Sequence, residues 1–139
     1  MKKLGILLKG AAIAFCMITL FVFAVPQDQK AGGSWDVPAK YKSMKNPLKG
    51  DAASVAVGKN LYLKHCKACH GGEGLGNGPK AGSMKTKIPS FKEAKFQAQA
   101  DGAIYYEFVV GRNEMTSFDK KVAEEDDRWA LVNYIRTLK

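Results

Sequence analysis

The sequence has little cysteine and little histidine, with 3 Cys and 2 His among 139 residues. So small and odd a number of cysteines does not make a disulfide scaffold, and a structural Cys₄ zinc site would need one more thiolate. With 46% hydrophobic and 25% charged residues, the composition also excludes collagen-like and wholly disordered chains. What remains is one domain of ordinary globular composition.

The N-terminal 25 residues lack acidic side chains. Lysines at positions 2, 3 and 9 precede an uncharged run at 10–25, which is the pattern of a secretory signal peptide. Short residues at Val22 and Ala24 predict cleavage after residue 24, so that 1–24 is a signal peptide. The alternative is an uncleaved membrane anchor at 6–25, since twenty residues can just cross a bilayer.

A lipid anchor on Cys16 is disfavoured, because the bulky Phe15 stands where a small residue is needed. Both remaining alternatives place the following residues outside the cytoplasm, in the periplasm or cell envelope.

Two zones follow the leader. Residues 25–50 are rich in Pro, Gly and Lys and indicate a linker or strap, in which Trp35 either attaches to the domain or stays exposed. Residues 51–139 form the compact domain, which is so small that a cofactor would help to complete its core.

The domain lacks segments with strand-like alternation, and its pattern indicates helices. Asp51 or Ser54 can cap a helix that ends near residue 67, Asp101 caps one at 101–110, and 124–138 gives the clearest helix. The glycine-rich stretch 71–79 predicts a loop. The fold class is therefore all-α, with long loops.

One motif carries chemistry. Cys66-Lys67-Ala68-Cys69-His70 is Cys-x-x-Cys-His, the attachment pattern of haem c. Two thiols three positions apart can bond the two vinyl groups of one haem, and the next residue, His70, then reaches the iron as its proximal ligand.

Two other interpretations of this motif are weaker. A thioredoxin-type redox pair needs a helix after the first cysteine, whereas here the predicted helix precedes it. A zinc site of Cys66, Cys69, His70 and His65 has enough ligands, but adjacent helical residues point in different directions.

Beyond this motif, the sequence resembles a class I mono-haem bacterial cytochrome c over about residues 53–139. Gly58 and Tyr62 stand where that family lets its first helix cross its last, and 124–138 resembles its C-terminal helix. The resemblance implies a helical domain wrapped around one covalently bound haem c. It also implies that the carbonyl of Pro79 accepts the N–H of His70, which would fix the imidazole ring.

The sixth iron ligand is expected to be a methionine, which raises the reduction potential. The segment Gly111–Phe118 is similar to the family's Gly-x-x-x-Met-Pro-x-Phe, which implies Met115 as the distal ligand, although Thr116 replaces the usual proline. Met44, Met84 and a second histidine, His65, are the weaker candidates. Aromatic side chains are expected to wall the haem: Phe91, Phe96, Tyr105, Tyr106, Phe108, Phe118 and Trp129.

The expected function is one-electron transfer, without a catalytic residue of its own. Between residues 40 and 95, 12 lysines face 3 acidic residues, which predicts redox partners with an acidic docking surface and no nucleic acid. The lysines nearest the motif in the sequence, called here the motif lysines, are Lys64, Lys67, Lys80, Lys85 and Lys87. Two other functions are considered: a haem subunit of a larger reductase or dehydrogenase, and a ligand-binding sensor with an open sixth site.

Overall fold

The computed structural model describes residues 30–31 and 34–139. The predicted signal peptide, the alternative anchor and Cys16 lie outside these residues. Within the described ranges, no helix combines the length and the apolar character needed to cross a membrane.

Helices make up most of the regular structure, which confirms the all-α class. In chain order they are α1 (Ala39–Lys42), α2 (Ala52–His65), α3 (Lys67–His70), α4 (Ala94–Gln97), α5 (Asp101–Val110) and α6 (Glu125–Thr137), with a 3₁₀ turn at Ala81–Ser83. Two strands of two residues each, β1 (Lys30–Ala31) and β2 (Thr86–Lys87), pair in parallel. They are too short to give a sequence signal.

The helix boundaries follow local chemistry. The Asp51 carboxylate accepts the N–H of Ala53 at 2.8 Å and caps α2 as predicted. Asp101 is the first residue of α5 and does not cap it; the cap is Ala100. The Asp101 carboxylate instead receives the Arg136 guanidinium at 2.8 Å, a contact between distant residues that no local pattern indicates.

The centre of the fold is the crossing of α2 and α6. Gly58 faces the backbone of α6 so closely that an added Cβ would lie 1.9 Å from the carbonyl oxygen of Ala130. One turn further along α2, the Tyr62 and Tyr134 rings pack with their centres 5.2 Å apart. The close approach predicted for Gly58 and Tyr62 is thus present, and it holds the end of α2, where the motif begins, against the core.

Residues 34–50 lie against the domain. Trp35 is half-buried, with its ring edge-on to Tyr106 at 6.5 Å and the Arg112 guanidinium carbon 4.3 Å from its centre. Further on, the buried Asn46 donates to the side-chain oxygen of Asn133 at 2.7 Å. Both ends of this segment therefore contact the folded helices.

Candidate haem site

The Cys-x-x-Cys-His motif lies where α2 ends and the short helix α3 turns. Cys66 accepts backbone N–H groups from Cys69 at 3.1 Å and from His70 at 2.9 Å, so the two cysteines and the histidine share one tight turn. Both thiols are free and partly buried. Burial raises the pKa of the Cys66 thiol to about 12, so this sulfur stays protonated at neutral pH.

The glycine-rich loop is bound to this turn. Gly76 and Gly78 donate their N–H groups to the carbonyls of His70 and Cys69, at 2.9 and 3.1 Å. The buried Tyr62 hydroxyl donates to the Gly71 carbonyl at 2.7 Å. The glycine-rich loop, which the sequence predicted, is therefore hydrogen-bonded to the motif turn and helps to hold it in place.

His70 is held in an apolar setting. Its ring stacks on Phe91 with the ring centres 4.6 Å apart, and burial lowers its pKa to about 4. The imidazole is thus neutral at physiological pH and keeps a lone pair for a metal. Its Nδ1 is buried without a hydrogen-bond partner within the described residues. The bond to Pro79 is not formed in this structure and stays a prediction.

Met115 sits in a tight turn after α5. Gly111 ends the helix at φ +71°, a conformation that suits glycine, and Arg112 and Met115 exchange backbone hydrogen bonds at 2.8 and 2.9 Å. Met115 is partly buried against the same core cluster that contains Phe91. His70 and Met115 therefore both reach one aromatic cluster.

The segment after Met115, here called the distal loop (residues 116–124), is fixed by side chains that sequence reasoning did not single out. Ser117 donates its hydroxyl to the Val109 carbonyl at 2.6 Å. Arg128 donates to the carbonyls of Val122 and Asp119 at 2.7 and 2.9 Å, and to the Asp119 carboxylate at 2.8 Å. These bonds restrain the backbone where Thr116 stands in place of proline.

The competing ligands lie on other segments of the chain. Met44 packs against the same core cluster as Met115 but from the α1 side, beside Gly102, and Met84 follows the 3₁₀ turn. His65 lies edge-on to Phe118 at 6.2 Å, at the partly exposed end of α2. Among the residues that the structure describes, no three His, Cys, Asp or Glu side chains come close enough to hold a metal ion, so the zinc alternative gains no support.

The predicted aromatic wall is largely buried. Five of its seven members are buried, namely Phe91, Phe96, Tyr105, Phe108 and Trp129, whereas Tyr106 and Phe118 are partly exposed. Two free thiols in one turn, a neutral, partly buried imidazole whose buried Nδ1 has no partner among the described residues, and an apolar aromatic environment all suit haem c.

A buried carboxyl group on α5 was not predicted. Glu107 is only 8% exposed, its Oε1 has no hydrogen-bond partner in the described part of the chain, and burial raises its pKa to about 7 although Arg112 opposes the shift. An ordinary carboxyl has a pKa of 4.5. The native state therefore binds this proton more tightly than the unfolded chain.

This carboxyl predicts a loss of stability as the pH rises. The stabilisation that the protonated Glu107 gives the native state is fully present below pH 4.5. Between pH 4.5 and 7 this stabilisation falls by on the order of 3 kcal/mol. We expect Glu107→Gln to flatten the free energy of unfolding of the holoprotein between pH 5 and 8, measured by chemical denaturation. The exposed Glu125→Gln is the control and should keep the parent profile. A parent profile that does not fall over this range would contradict the prediction.

Comparisons with known proteins found a family match and similar solved structures. The model of the cytochrome c family matches residues 55–139. A solved chain of a reducing HAO-like protein complex of Kuenenia stuttgartiensis is 31% identical, with a TM-score of 0.58, over 68% of this chain and 49% of that chain. The c-type cytochrome KustC0563 is 34% identical, with a TM-score of 0.51, over 59% of this chain and 96% of that chain. No curated protein matches.

Proposed function

This chain belongs to the cytochrome c family, and on that premise we propose that Cys66 and Cys69 carry its haem c and that His70 and Met115 bind the iron. Membership implies a covalently bound haem c and makes the chain an electron-transfer protein, not an enzyme in itself. When bound, haem c supplies a one-electron couple.

The shared core cluster, together with the segment Gly111–Phe118 in which Met115 stands, supports this assignment; Met44 contacts the same cluster but lies in no such segment. His70 stacks on Phe91, and Met115 packs against the core cluster to which Phe91 belongs. The two side chains offer a neutral nitrogen and a thioether sulfur, a pair that raises the potential of the iron. If His70 and Met115 both held the iron, the protein would leave it no open position for a substrate.

The ligand assignment is tested by replacing Met115 with alanine. We expect the weak far-red band of sulfur on ferric haem to disappear and the potential to fall by on the order of 0.2 V, a fraction of the ~0.8 V range that axial ligands span. Met84→Ala is the control and should keep both. If the band survives in Met115→Ala and disappears in Met84→Ala, the assignment is wrong. CO binding to the reduced parent protein would favour the open-site sensor.

The motif lysines supply the proposed docking surface for an acidic redox partner. All five are exposed. The backbone N–H of Lys80 donates to the Ala68 carbonyl inside the motif at 2.8 Å, which places this lysine beside the motif. Thr86, which lies between Lys85 and Lys87, donates its N–H to Glu114, the residue before Met115, at 2.9 Å. Positive charge thus flanks both proposed ligands.

Electrostatic steering of an acidic partner toward the motif lysines depends on ionic strength. Raising the salt concentration from 10 mM to 500 mM should slow bimolecular electron exchange with an acidic redox protein at least tenfold, because counterions screen the lysines. Stopped-flow absorbance of the haem follows the exchange. A neutral small-molecule reductant is the control, and equal salt dependence for both reagents would refute steering.

A second candidate function is a haem subunit of a larger redox complex. It is favoured by the neighbour from a HAO-like protein complex, although this chain spans only about half the length of that neighbour. We further propose residues 51–139 as the cytochrome domain, residues 25–50 as a strap, and residues 1–24 as a signal peptide or part of an anchor that places the domain in the cell envelope. Co-purification of an oxidoreductase with the tagged protein would favour the subunit over the free carrier.

A further inference from the structure

A groove lies at the end of α2 away from the motif. It encloses about 1030 Å³ between residues 44–50, the start of α2, the start of α5 and the last turns of α6. Val55 lines it, eleven residues before Cys66, so along α2 the groove is roughly 16 Å from the first thiol. It is separate from the proposed haem site.

The hydrogen-bonding side chains on the floor of the groove are already paired with other groups of the protein. Asn133 donates to the Leu48 carbonyl at 2.6 Å and to the Ser54 hydroxyl at 2.7 Å, and accepts from Asn46. Arg136 donates to the Asp101 carboxylate and to the backbone carbonyls of Gln97 and Gln99. Because these donors are engaged, the floor offers no cradle for a small anion.

The rim of the groove carries an excess of positive charge. Lys45, Lys49 and Lys139 line it and are exposed. None of the three takes part in an ion pair among the described residues. The one lining acid, Asp101, is already neutralised by Arg136. Three exposed ammonium groups around a wide opening suit several carboxylates spread along a chain better than one compact ion.

We infer that this lysine-rimmed groove binds an acidic segment of a partner protein and fixes the cytochrome to it while the motif end stays free. The inference deepens the proposed function, on which it rests: the motif lysines would serve transient electron exchange, and the rim lysines would serve a lasting attachment. An interface of this kind relies on charge complementarity for its specificity.

The probe is a fluorescent deca-glutamate peptide added to the holoprotein at low ionic strength. Affinity is read by fluorescence polarisation, and carbodiimide cross-linking with mass spectrometry locates the lysines that it touches. We expect most cross-links at the rim lysines. The K45Q/K49Q/K139Q variant should bind at least tenfold more weakly, whereas the control variant K59Q/K95Q/K120Q, which removes three exposed lysines outside both the groove and the motif lysines, should lose less than threefold. The unchanged haem spectrum verifies the fold of both.

Three outcomes would overturn the inference. Cross-links concentrated on the motif lysines would support acidic docking at the motif and contradict binding in the groove. Equal losses in both variants would mean a general cationic surface. Concentration-dependent self-association in sedimentation, abolished by K45Q/K49Q/K139Q, would make the occupant a second copy of this chain. The proposed haem ligands are tested independently by the far-red band.

Discussion

Replacement of both Cys66 and Cys69 by alanine should abolish covalent haem attachment. The two sulfurs share one turn with His70 and are the free thiols of the described chain, so no other described side chain can form the thioether bonds. We expect no haem to remain with the polypeptide after denaturing electrophoresis, where the parent protein retains one haem per chain. Each single variant should retain haem through one bond.

The matched control lies between the two cysteines. Lys67 is exposed, so Lys67→Ala keeps the spacing of the thiols and should retain haem at the parental level. Covalent haem in the double-alanine variant would contradict the assignment of the motif. Loss of haem in Lys67→Ala as well would show that the assay reports folding of the turn and not the thiols.

Replacement of Gly58 by valine should cause the largest loss of stability outside the haem site. Even a single Cβ would lie 1.9 Å from the Ala130 carbonyl oxygen and 2.5 Å from its carbon, far inside van der Waals contact. The helices α2 and α6 must separate to admit three carbons. Overpacking of this kind costs about 3 kcal/mol or more, and the chemical denaturation midpoint of the holoprotein should fall accordingly.

The control is the same new side chain on the exposed face of α2. Ala56→Val introduces valine two residues earlier, where the helix faces solvent, and should cost only about 0.6 kcal/mol in helix propensity. Similar losses of stability in the two variants would mean that valine destabilises α2 through its lower helix propensity and not through a clash with α6. The close crossing at Gly58 would then contribute little to stability.

The helices were predictable because their signals are local. The acids at the start of α6 and the basic residue in its last turn mark that helix, and the prediction of 124–138 differs from the observed bounds by one residue at each end. The predicted bounds of 101–110 match α5. Cys66, Cys69 and His70 are close in space because they are close in sequence.

What escaped prediction depends on contacts between distant residues. Asn46 meets Asn133 across 87 positions, and Arg136 pairs with Asp101 across 35 positions. Nothing near Glu107 in the sequence shows that tertiary packing buries its carboxyl. One signal was available: Asn133 is a polar residue within the apolar run of α6 and could have been flagged as a buried amide in need of a partner.

The crossing of α2 and α6 has a consequence for how the chain folds. The two helices are separated by about 60 residues, and the Asn46–Asn133 bond joins positions 87 apart. Closing loops of this length costs chain entropy before any contact rewards it, and proteins rich in such contacts fold slowly. We therefore expect the encounter of these two remote helices to limit the rate of folding, so that mutations at the Gly58 contact should slow refolding, whereas changes on the exposed face of α2 should not.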